Sequence, residues 1–458
     1  ISSTQLLLEE KKGNSLDGFS NGAITKGKPV VMQADGDVAQ VVSTSTSFAV
    51  GSSQEIVSSS NNNDYEFVYD TYRNKVIAIY RKGSSPYNLA YKVGTIDTSA
   101  NTITYGTEAT ITSTGVHTVR AVYDEVQQAT IVFWNDNNTA TGKCVAITLD
   151  SSGSATVGSS STYNSSSTVY AGVGYAQGVG TVIAYEISGG DFKSRVVTVS
   201  GTTLTLGAED TISTVNAVYT SVAYDTTNSK IVVTYNDSSN SYYPTYAVAS
   251  ISGTTITYET PVVFISSATP RQFNDHALVF DKENSKFIYN GYTSNTGQVY
   301  VGSLSGTTVT WGSAQQYSTT SHSQTISYNP TTKNTLLGYR NTSTNYPVAR
   351  TITLNGSTAT FGTETNLSTI SVTGEIVQTS SANTKSIASY IDDNNNNYDG
   401  NVVTMPLSST NLTSSNYLGV ASDTVANNEN ATIQTQGAVN SDQSSLTAGQ
   451  LYYVQTDG

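Results

Sequence analysis

Three histidines are the side chains of this chain best suited to acid–base or metal chemistry near neutral pH. His117, His276 and His322 each lie four to six residues before an aromatic residue that marks one copy of a repeat, so they occupy nearly the same point in three copies. A common metal or catalytic site would require all three side chains to converge on one face of the fold. Because the three copies are not all adjacent, we expect separate histidines, solvated or hydrogen-bonded locally, and predict no metal site.

The acidic stretch "IDDNNNNYDG" at 391–400 offers carboxylate and amide oxygens at alternate positions from Asp393. A calcium loop of the EF-hand type needs Gly at its sixth position and Glu at its twelfth, where this chain has Tyr398 and Thr404. We therefore expect a polar hairpin tip rather than a cation site.

No other catalytic signature is present. The sequence contains no G-x-S-x-G, no H-E-x-x-H, no P-loop, no dinucleotide fingerprint and no S-x-D-x-G-x-x-W box of sialidase-type propellers. The recurring aspartates Asp70, Asp124, Asp225 and Asp281 suit turn formation better than a facing pair of glycosidase carboxylates. The only cysteine, Cys144, lies in a strand-like stretch and reads as a small buried thiol. We predict a non-enzymatic protein with no catalytic residue and no cofactor.

Tyrosine and asparagine are concentrated in a set of polar segments that we place between strands. Tyr with Ser, Asn and Gly is the composition of adaptable binding loops, because the ring supplies contact area at small entropic cost. Ordinary soluble turn sequence is the alternative interpretation. The candidate surface-binding residues are Tyr87, Tyr242, Tyr243, Tyr346 and Tyr398.

Composition limits both the fold and the partners. Of the 458 residues only 12% are charged, the formal net charge is −13, and 31 are tyrosine. Such a surface repels phosphate backbones and anionic lipid headgroups, so we expect no nucleic-acid partner. No apolar run approaches the length of about 20 residues needed to cross a bilayer, so we expect no membrane insertion. Because the chain starts at Ile1 rather than Met, we expect a processed product or a piece of a longer protein.

The repeat consists of an aromatic–polar pair, a turn and an apolar strand, as in "YDTYRNKVIAIY", "YDEVQQATIVFW" and "YDTTNSKIVVTY". Seven copies occur at intervals of 48 to 56 residues, and each contains four strand-like segments, with tight turns such as "SGTT" before the fourth. This pattern predicts an all-β fold, a seven-bladed β-propeller. An open β-solenoid or a chain of small sandwiches is the alternative.

The fourth segment of each copy follows the pattern of "NTITYGTEATI", and the seventh copy lacks it. Residues 44–56, "TSTSFAVGSSQEI", supply such a piece with no copy before it, with Phe48 and Gly51 near the aromatic and Gly positions. We therefore predict that this N-terminal strand pairs near Val403, completes the last blade and closes the ring.

The two tails share a second pattern. "ITKGKPVVMQADG" at 24–36 and "LTAGQLYYVQTDG" at 446–458 align without gaps, each as a turn, a short strand and a final D-G turn. We predict that residues 1–43 and 411–458 together form a small β module for attachment or oligomerisation, and that residues 44–410 form the propeller. Two independent tails are the alternative.

The flanking segments "GAITKGKPVVMQADGDVAQVV" and "GAVNSDQSSLTAGQLYYVQTDG" resemble pieces near the ends of virion structural proteins of tailed bacteriophages, especially those of marine cyanophage type. The resemblance covers 60–70 residues at the two ends and contains no catalytic motif. It implies a fibre, tail or head-decorating subunit located in the virion, with other virion proteins and copies of itself as partners and a host-surface glycan as the expected ligand. A secreted bacterial adhesin or cell-surface filament subunit is one alternative, and a polysaccharide-active propeller enzyme is another.

Overall fold

The structure is a computed structural model. It describes residues 9–11, 15–33, 36–41, 43–44, 48–52, 54–57, 65–83, 87–97, 99–266, 276–372, 378–382, 385–392, 397–404, 409–410 and 416–435. Within this part of the chain, no helix has the length and apolar character required for a membrane crossing.

Seven strands precede the first complete blade: β1 (Glu9–Lys11), β2 (Ser15–Phe19), β3 (Pro29–Met32), β4 (Val38–Gln40), β5 (Ser43–Thr44), β6 (Ala49–Val50) and β7 (Gln54–Val57). Blade 1 contains β8 (Tyr65–Asp70), β9 (Lys75–Lys82), β10 (Asn88–Asp97), β11 (Thr102–Tyr105) and β12 (Ala109–Thr112). Blade 2 contains β13 (Val116–Asp124), β14 (Ala129–Asp136), β15 (Thr141–Leu149), β16 (Ala155–Val157) and β17 (Ser161–Asn164). Blade 3 contains β18 (Thr168–Ala176), β19 (Gly180–Ile187), β20 (Phe192–Ser200), β21 (Thr203–Leu206) and β22 (Asp210–Ser213).

Blade 4 contains β23 (Ala217–Asp225), β24 (Lys230–Asp237), β25 (Tyr243–Ser252), β26 (Thr255–Tyr258) and β27 (Val262–Val263), with a 3-10 turn at Ser238–Asn240. Blade 5 contains β28 (Leu278–Asp281), β29 (Lys286–Thr293), β30 (Thr296–Ser305), β31 (Thr308–Trp311) and β32 (Gln315–Ser318). Blade 6 contains β33 (Ser321–Asn329), β34 (Asn334–Asn341), β35 (Pro347–Asn355), β36 (Thr358–Phe361) and β37 (Thr365–Asn366). The remaining strands are β38 (Gln378–Ala382), β39 (Lys385–Asp392), β40 (Asn397–Thr404), β41 (Ser409–Thr410), β42 (Tyr417–Ala421) and β43 (Asn430–Gln434).

Each blade is an antiparallel sheet in which an inner strand is followed by a second and a third strand in order. The outer strand differs from the single segment expected, because it is divided into two short pieces that both pair with the third strand. The division follows a glycine in most blades: the Gly106 N–H donates to the Val93 carbonyl at 2.9 Å and the Gly207 N–H to the Val196 carbonyl at 2.8 Å. The outer edge therefore bends without losing its hydrogen bonds.

The apolar cores lie between neighbouring blades, which explains the continuous apolar second strands. All eight residues of β14, "ATIVFWND", are buried, because both faces of that sheet are covered. One cluster joins Phe133 and Cys144 of blade 2 to Tyr185 and Val197 of blade 3. Burial of this kind, repeated around a ring, is the main stabilising term of the fold.

The aspartates at the ends of the inner strands form turns, as predicted. Asp124 Oδ1 accepts hydrogen bonds from the N–H groups of Val126 and Gln127 at 3.0 and 2.9 Å, and the other three aspartates make the same pair of bonds. Asp70 also accepts a 2.7 Å hydrogen bond from the Tyr123 hydroxyl, which belongs to the next blade. The turns therefore tie neighbouring blades together.

The N-terminal strand closes the ring. β6 pairs with β40 through Val50–Val403 and Ala49–Thr404, and β7 pairs with the same strand. Phe48 is buried against Ala388 and Tyr390 of the seventh blade. The prediction of a seven-bladed propeller sealed by an N-terminal strand is confirmed.

Residues 1–46 and 408–458 form one compact unit, and residues 47–407 form the other. In the first unit both ends of the chain build one six-stranded sheet in the order β1-β2-β43-β42-β3-β4, as the predicted fold class requires. Ile24, Val30, Ala431 and Ile433 are among the residues of its core. The second copy of the tail pattern, 446–458, lies outside the described residues.

Candidate functional site

The propeller has two faces with different loops. Because strands alternate in direction, the loops between second and third strands share one face with the connections that enter the next inner strand, and we call it the loop face. Backbone hydrogen bonds join the two kinds of loop, such as Asn137 N–H to Gly115 carbonyl at 2.7 Å and Ser238 N–H to Asn216 carbonyl at 3.0 Å. The opposite side, which carries the aspartate turns, is the turn face.

The sequence-predicted tyrosines lie in or beside the loops between second and third strands, so four of them belong to the loop face. Tyr87 directly precedes β10 and is half-buried, Tyr242 precedes β25 and is 37% exposed, Tyr243 begins that strand, and Tyr346 precedes β35 and packs on an apolar cluster. Tyr398 pairs through its backbone with Val57, and its side chain lies outside the described residues. Ligand binding by these residues stays a prediction.

Tyr87 is held in place by two charged or polar neighbours. The Arg81 guanidinium carbon lies 4.3 Å from the centre of the Tyr87 ring, and the His117 ring meets the same ring edge-on at 5.8 Å. Arg81 Nη1 donates to His117 Nδ1 at 2.8 Å, which leaves the imidazole proton on Nε2. The buried guanidinium, 7% exposed, therefore supports the half-buried Tyr87 ring on the loop face.

Two further tyrosines, which the sequence did not single out, lie near the loop-face end of the inner strands. Tyr170 in β18 and Tyr219 in β23 have φ of 49° and 55°, and their rings meet at 5.2 Å. Tyr170 is 37% exposed. Their equivalent positions could have been found by aligning the inner strands of successive repeats.

Glu186 is a second residue that sequence reasoning missed. It is 5% exposed, and it lies opposite Val169 in the β18–β19 register, next to Tyr170. Burial raises the pKa of its carboxyl to about 7. The signal was available in "GTVIAYEI", where one carboxylate ends an otherwise apolar strand.

The three histidines have three different partners. His117 bonds to Arg81, as described, and His322 Nδ1 lies 2.6 Å from the Ser323 hydroxyl. His276 Nε2 lies 3.0 Å from Glu66 Oε1, which is also 3.6 Å from Arg120 Nη1. Among the described residues no group of three His, Cys, Asp or Glu side chains has the geometry to hold a metal ion.

An axial cavity of about 400 Å³ opens on the turn face and contains the Glu66–His276 pair at its inner end. Its rim includes Glu125 and Lys282 in the turns after the inner strands. Its walls contain five aromatic side chains, Phe67, Tyr175, Tyr224, Phe280 and Tyr328. A carboxylate, an imidazole and aromatic walls are suited to hold a small polar ligand.

Cys144 is buried, as expected, and its Sγ lies 3.7 Å from the Ser161 carbonyl oxygen. Burial raises the pKa of this thiol to about 12. The thiolate, which is the nucleophilic form, is therefore scarce near neutral pH.

The seven repeated sheets and the closure of the ring show that the unit of residues 47–407 is a seven-bladed β-propeller. No protein-family model matches it, and no curated protein matches it. It is similar in structure to a putative 6-phosphogluconolactonase from Bacteroides uniformis ATCC 8492, with 10% identity, a TM-score of 0.45 and coverage of 66% of this chain and 84% of that one. It is also similar to the β-propeller domain of Cps50 (Swd1) from Myceliophteria thermophila, with 7% identity, a TM-score of 0.44 and coverage of 78% and 100%. Such likeness concerns the fold alone.

Proposed function

We propose that this chain is a non-enzymatic structural protein of a tailed-phage virion, a fibre, tail or head-decorating subunit whose loop face contacts a glycan on the host surface. The observation that carries the proposal is the group of tyrosines on one face of the ring, with Tyr170 and Tyr242 each 37% exposed. The resemblance of the flanking segments to phage virion proteins supports the virion setting.

The chemistry of the loop face suits this task. Tyrosine rings pack on the C–H faces of sugars while their hydroxyls exchange hydrogen bonds, and few rotatable bonds are lost on binding. The Arg81 guanidinium, which is 7% exposed, and His117 fix the Tyr87 ring from below. Binding by such a face needs no bond to be broken.

The six-stranded unit gives the second half of the proposal. Because its sheet interleaves strands from both ends of the chain, it is a self-contained module that can attach the protein to other virion proteins or to copies of itself. A module of this kind serves equally in a secreted adhesin or a surface filament, which is the alternative setting.

The setting is tested by mass spectrometry and electron microscopy of purified particles and cell surfaces. The proposal expects the intact chain in virions at a fixed ratio to the major capsid protein. Its presence in ordered filaments on bacterial cells, and its absence from virions, would establish the adhesin alternative instead.

The axial cavity favours a second candidate, a polysaccharide-active enzyme, because Glu66 and Glu125 both line it. Incubation of the full chain with bacterial surface polysaccharides separates the two. Binding without release of reducing ends supports the proposed function, whereas turnover that Glu66→Gln abolishes and Tyr72→Ala preserves would establish the enzyme.

A further inference from the structure

The inner strands of blades 2, 3, 4 and 6 each contain the same β-bulge. In each one a residue near the start of the strand adopts a left-handed conformation, with φ between 49° and 55°: Thr118, Tyr170, Tyr219 and Ser323. Two blades therefore place small hydroxyl residues where blades 3 and 4 place tyrosines.

A left-handed backbone is unusual for a bulky residue, and Asn or Gly adopts it more readily. The bulge itself does not require an aromatic ring, because Thr118 and Ser323 form it as well. Such strained residues cluster at functional sites, where the surrounding structure maintains them. The bulge therefore does not explain why blades 3 and 4 have tyrosine at this position, Tyr170 and Tyr219.

The two blades also approach closely beside this pair. A Cβ placed on Gly172 would lie 2.5 Å from the Thr220 carbonyl oxygen, and one on Gly174 would lie 2.8 Å from Val222 Cγ1. Only glycine permits this separation, which brings the inner strands of blades 3 and 4 together. The close approach brings the two rings into edge-on contact, with centroids 5.2 Å apart and ring planes inclined by 63°.

Glu186 lies on the neighbouring strand, where its backbone pairs with Val169, the residue before Tyr170. The residue is 5% exposed, and among the described residues neither a hydrogen bond nor a neighbouring charge offsets the effect of burial on its carboxyl. The nearest cation along the neighbouring strand is Lys193, which is already paired with Glu209 at 2.6 Å and with Asp191 at 3.9 Å. A buried carboxylate without a cation favours the binding of one.

We propose that Tyr170, Tyr219 and Glu186 form a binding site for an organic ammonium group, such as the amine of an amino sugar or a choline headgroup. The faces of tyrosine rings attract ammonium ions, and the carboxylate neutralises the bound charge. The net charge of −13 attracts cations over a longer range. The identity of the molecule that carries the amine rests on the proposed function of glycan contact. The ammonium site itself does not depend on that function.

Choline chloride is the first probe, because its charge does not change with pH, and 3,3-dimethyl-1-butanol is its neutral isostere. Isothermal titration of the full chain at pH 8 is expected to give saturable binding of choline and at least tenfold weaker binding of the isostere. Since the pKa of Glu186 is about 7, choline affinity should fall about tenfold from pH 8 to pH 6 as the ionised fraction falls.

Three variants test the assignment. Tyr170→Asn and Tyr219→Asn remove a ring but retain a residue that suits the left-handed backbone, and Glu186→Gln removes the charge at nearly constant shape. Each is expected to weaken choline binding at pH 8 at least tenfold, and Glu186→Gln should also abolish the pH dependence. Thr118→Asn, at the same bulge of blade 2, is the matched control and should bind as the wild type does. Circular dichroism should be unchanged in all four variants, and so should the melting temperature, except that Glu186→Gln should melt at a higher temperature at pH 8.

Equal binding of choline and its isostere, no binding at tens of millimolar choline, or a pH profile that Glu186→Gln leaves unchanged would overturn the proposal. The carrier is identified with chitosan oligosaccharides and their N-acetylated counterparts at pH 6, where the former alone are charged. Choline at pH 6 is the reference, because only about a tenth of Glu186 is ionised at this pH. Preferential binding of chitosan assigns an amino sugar, and binding of choline alone assigns a choline headgroup. Host-cell binding that survives all three variants, together with choline binding that they do not weaken, would refute this site while leaving the proposed function standing. Choline binding without any adsorption to host cells would support this site and refute the proposed function.

Discussion

Phe48 is the most informative residue for ring closure, because it belongs to the N-terminal strand and packs in the seventh blade. It is 6% exposed and contacts the cluster of Leu336, Ala388 and Tyr390. Substitution of a buried Phe by Ala costs about 3–5 kcal/mol, from lost transfer free energy and the cavity left behind. β6 has only two residues in the ladder and can move partly into the void, so we expect about 3 kcal/mol for Phe48→Ala.

The assay is urea unfolding of the full chain, followed by far-ultraviolet circular dichroism and tyrosine fluorescence. Tyr72→Ala is the control, because Tyr72 is 70% exposed in a turn of blade 1 and should change the free energy of unfolding by less than about 0.5 kcal/mol. In a closed ring the loss should shift the whole transition of the propeller. A Phe48→Ala protein as stable as Tyr72→Ala, or one in which only a small early fraction of the signal shifts, would refute closure as a stabilising device.

Three other perturbations have defined outcomes. Because the pKa of Glu186 is raised to about 7 from 4.5, the folded chain holds a proton that the unfolded chain releases, so stability should fall as pH rises from about 4.5 to 7. Glu186→Gln should remove this loss, adding about 1–3 kcal/mol at pH 8 and nearly nothing at pH 4 in urea titrations, and an equal effect at both pH values would contradict it. Asp70→Ala should cost about 3 kcal/mol, since four donor groups lose their acceptor: two backbone N–H groups, the Arg73 guanidinium and the Tyr123 hydroxyl. Asp70→Asn should cost about 1 kcal/mol, because Asn329 forms the equivalent turn in blade 6, and equal losses in thermal or urea unfolding would be inconsistent with this. Cys144 should react with a thiol reagent such as DTNB only when the chain unfolds, and stoichiometric labelling of the native protein would show that the thiol is accessible.

Ring architecture could be predicted from the sequence because each blade repeats a local device. Asp124 and its counterparts mark a turn after every inner strand, and the apolar run after it marks the second strand. The closing strand was predictable because the seventh repeat lacks a piece that 44–56 supplies. The division of the outer strand into two pieces was not predictable, because a pattern of alternating residues does not reveal where a backbone bends.

The candidate site was only partly predictable for a different reason. Loop tyrosines such as Tyr87 and Tyr242 stand out by composition, but Tyr170 and Tyr219 belong to strands, where aromatic residues usually indicate a core. Their exposure depends on a bulge that one repeat alone does not encode. The Glu66–His276 contact joins residues 210 positions apart, so it exists only because the chain forms a ring.

The central claim is that the loop face binds the host surface, and blocking each face in turn tests it most directly. Cys144 is buried, so a single new cysteine can be labelled selectively with a bulky polyethylene glycol maleimide. Ser239→Cys places the label on an exposed residue of the loop face, and Tyr72→Cys places it on the turn face. We predict that the Ser239 label abolishes binding of the full chain to intact host bacteria while the Tyr72 label leaves it unchanged, and the reverse result, or equal binding by both, would contradict the account.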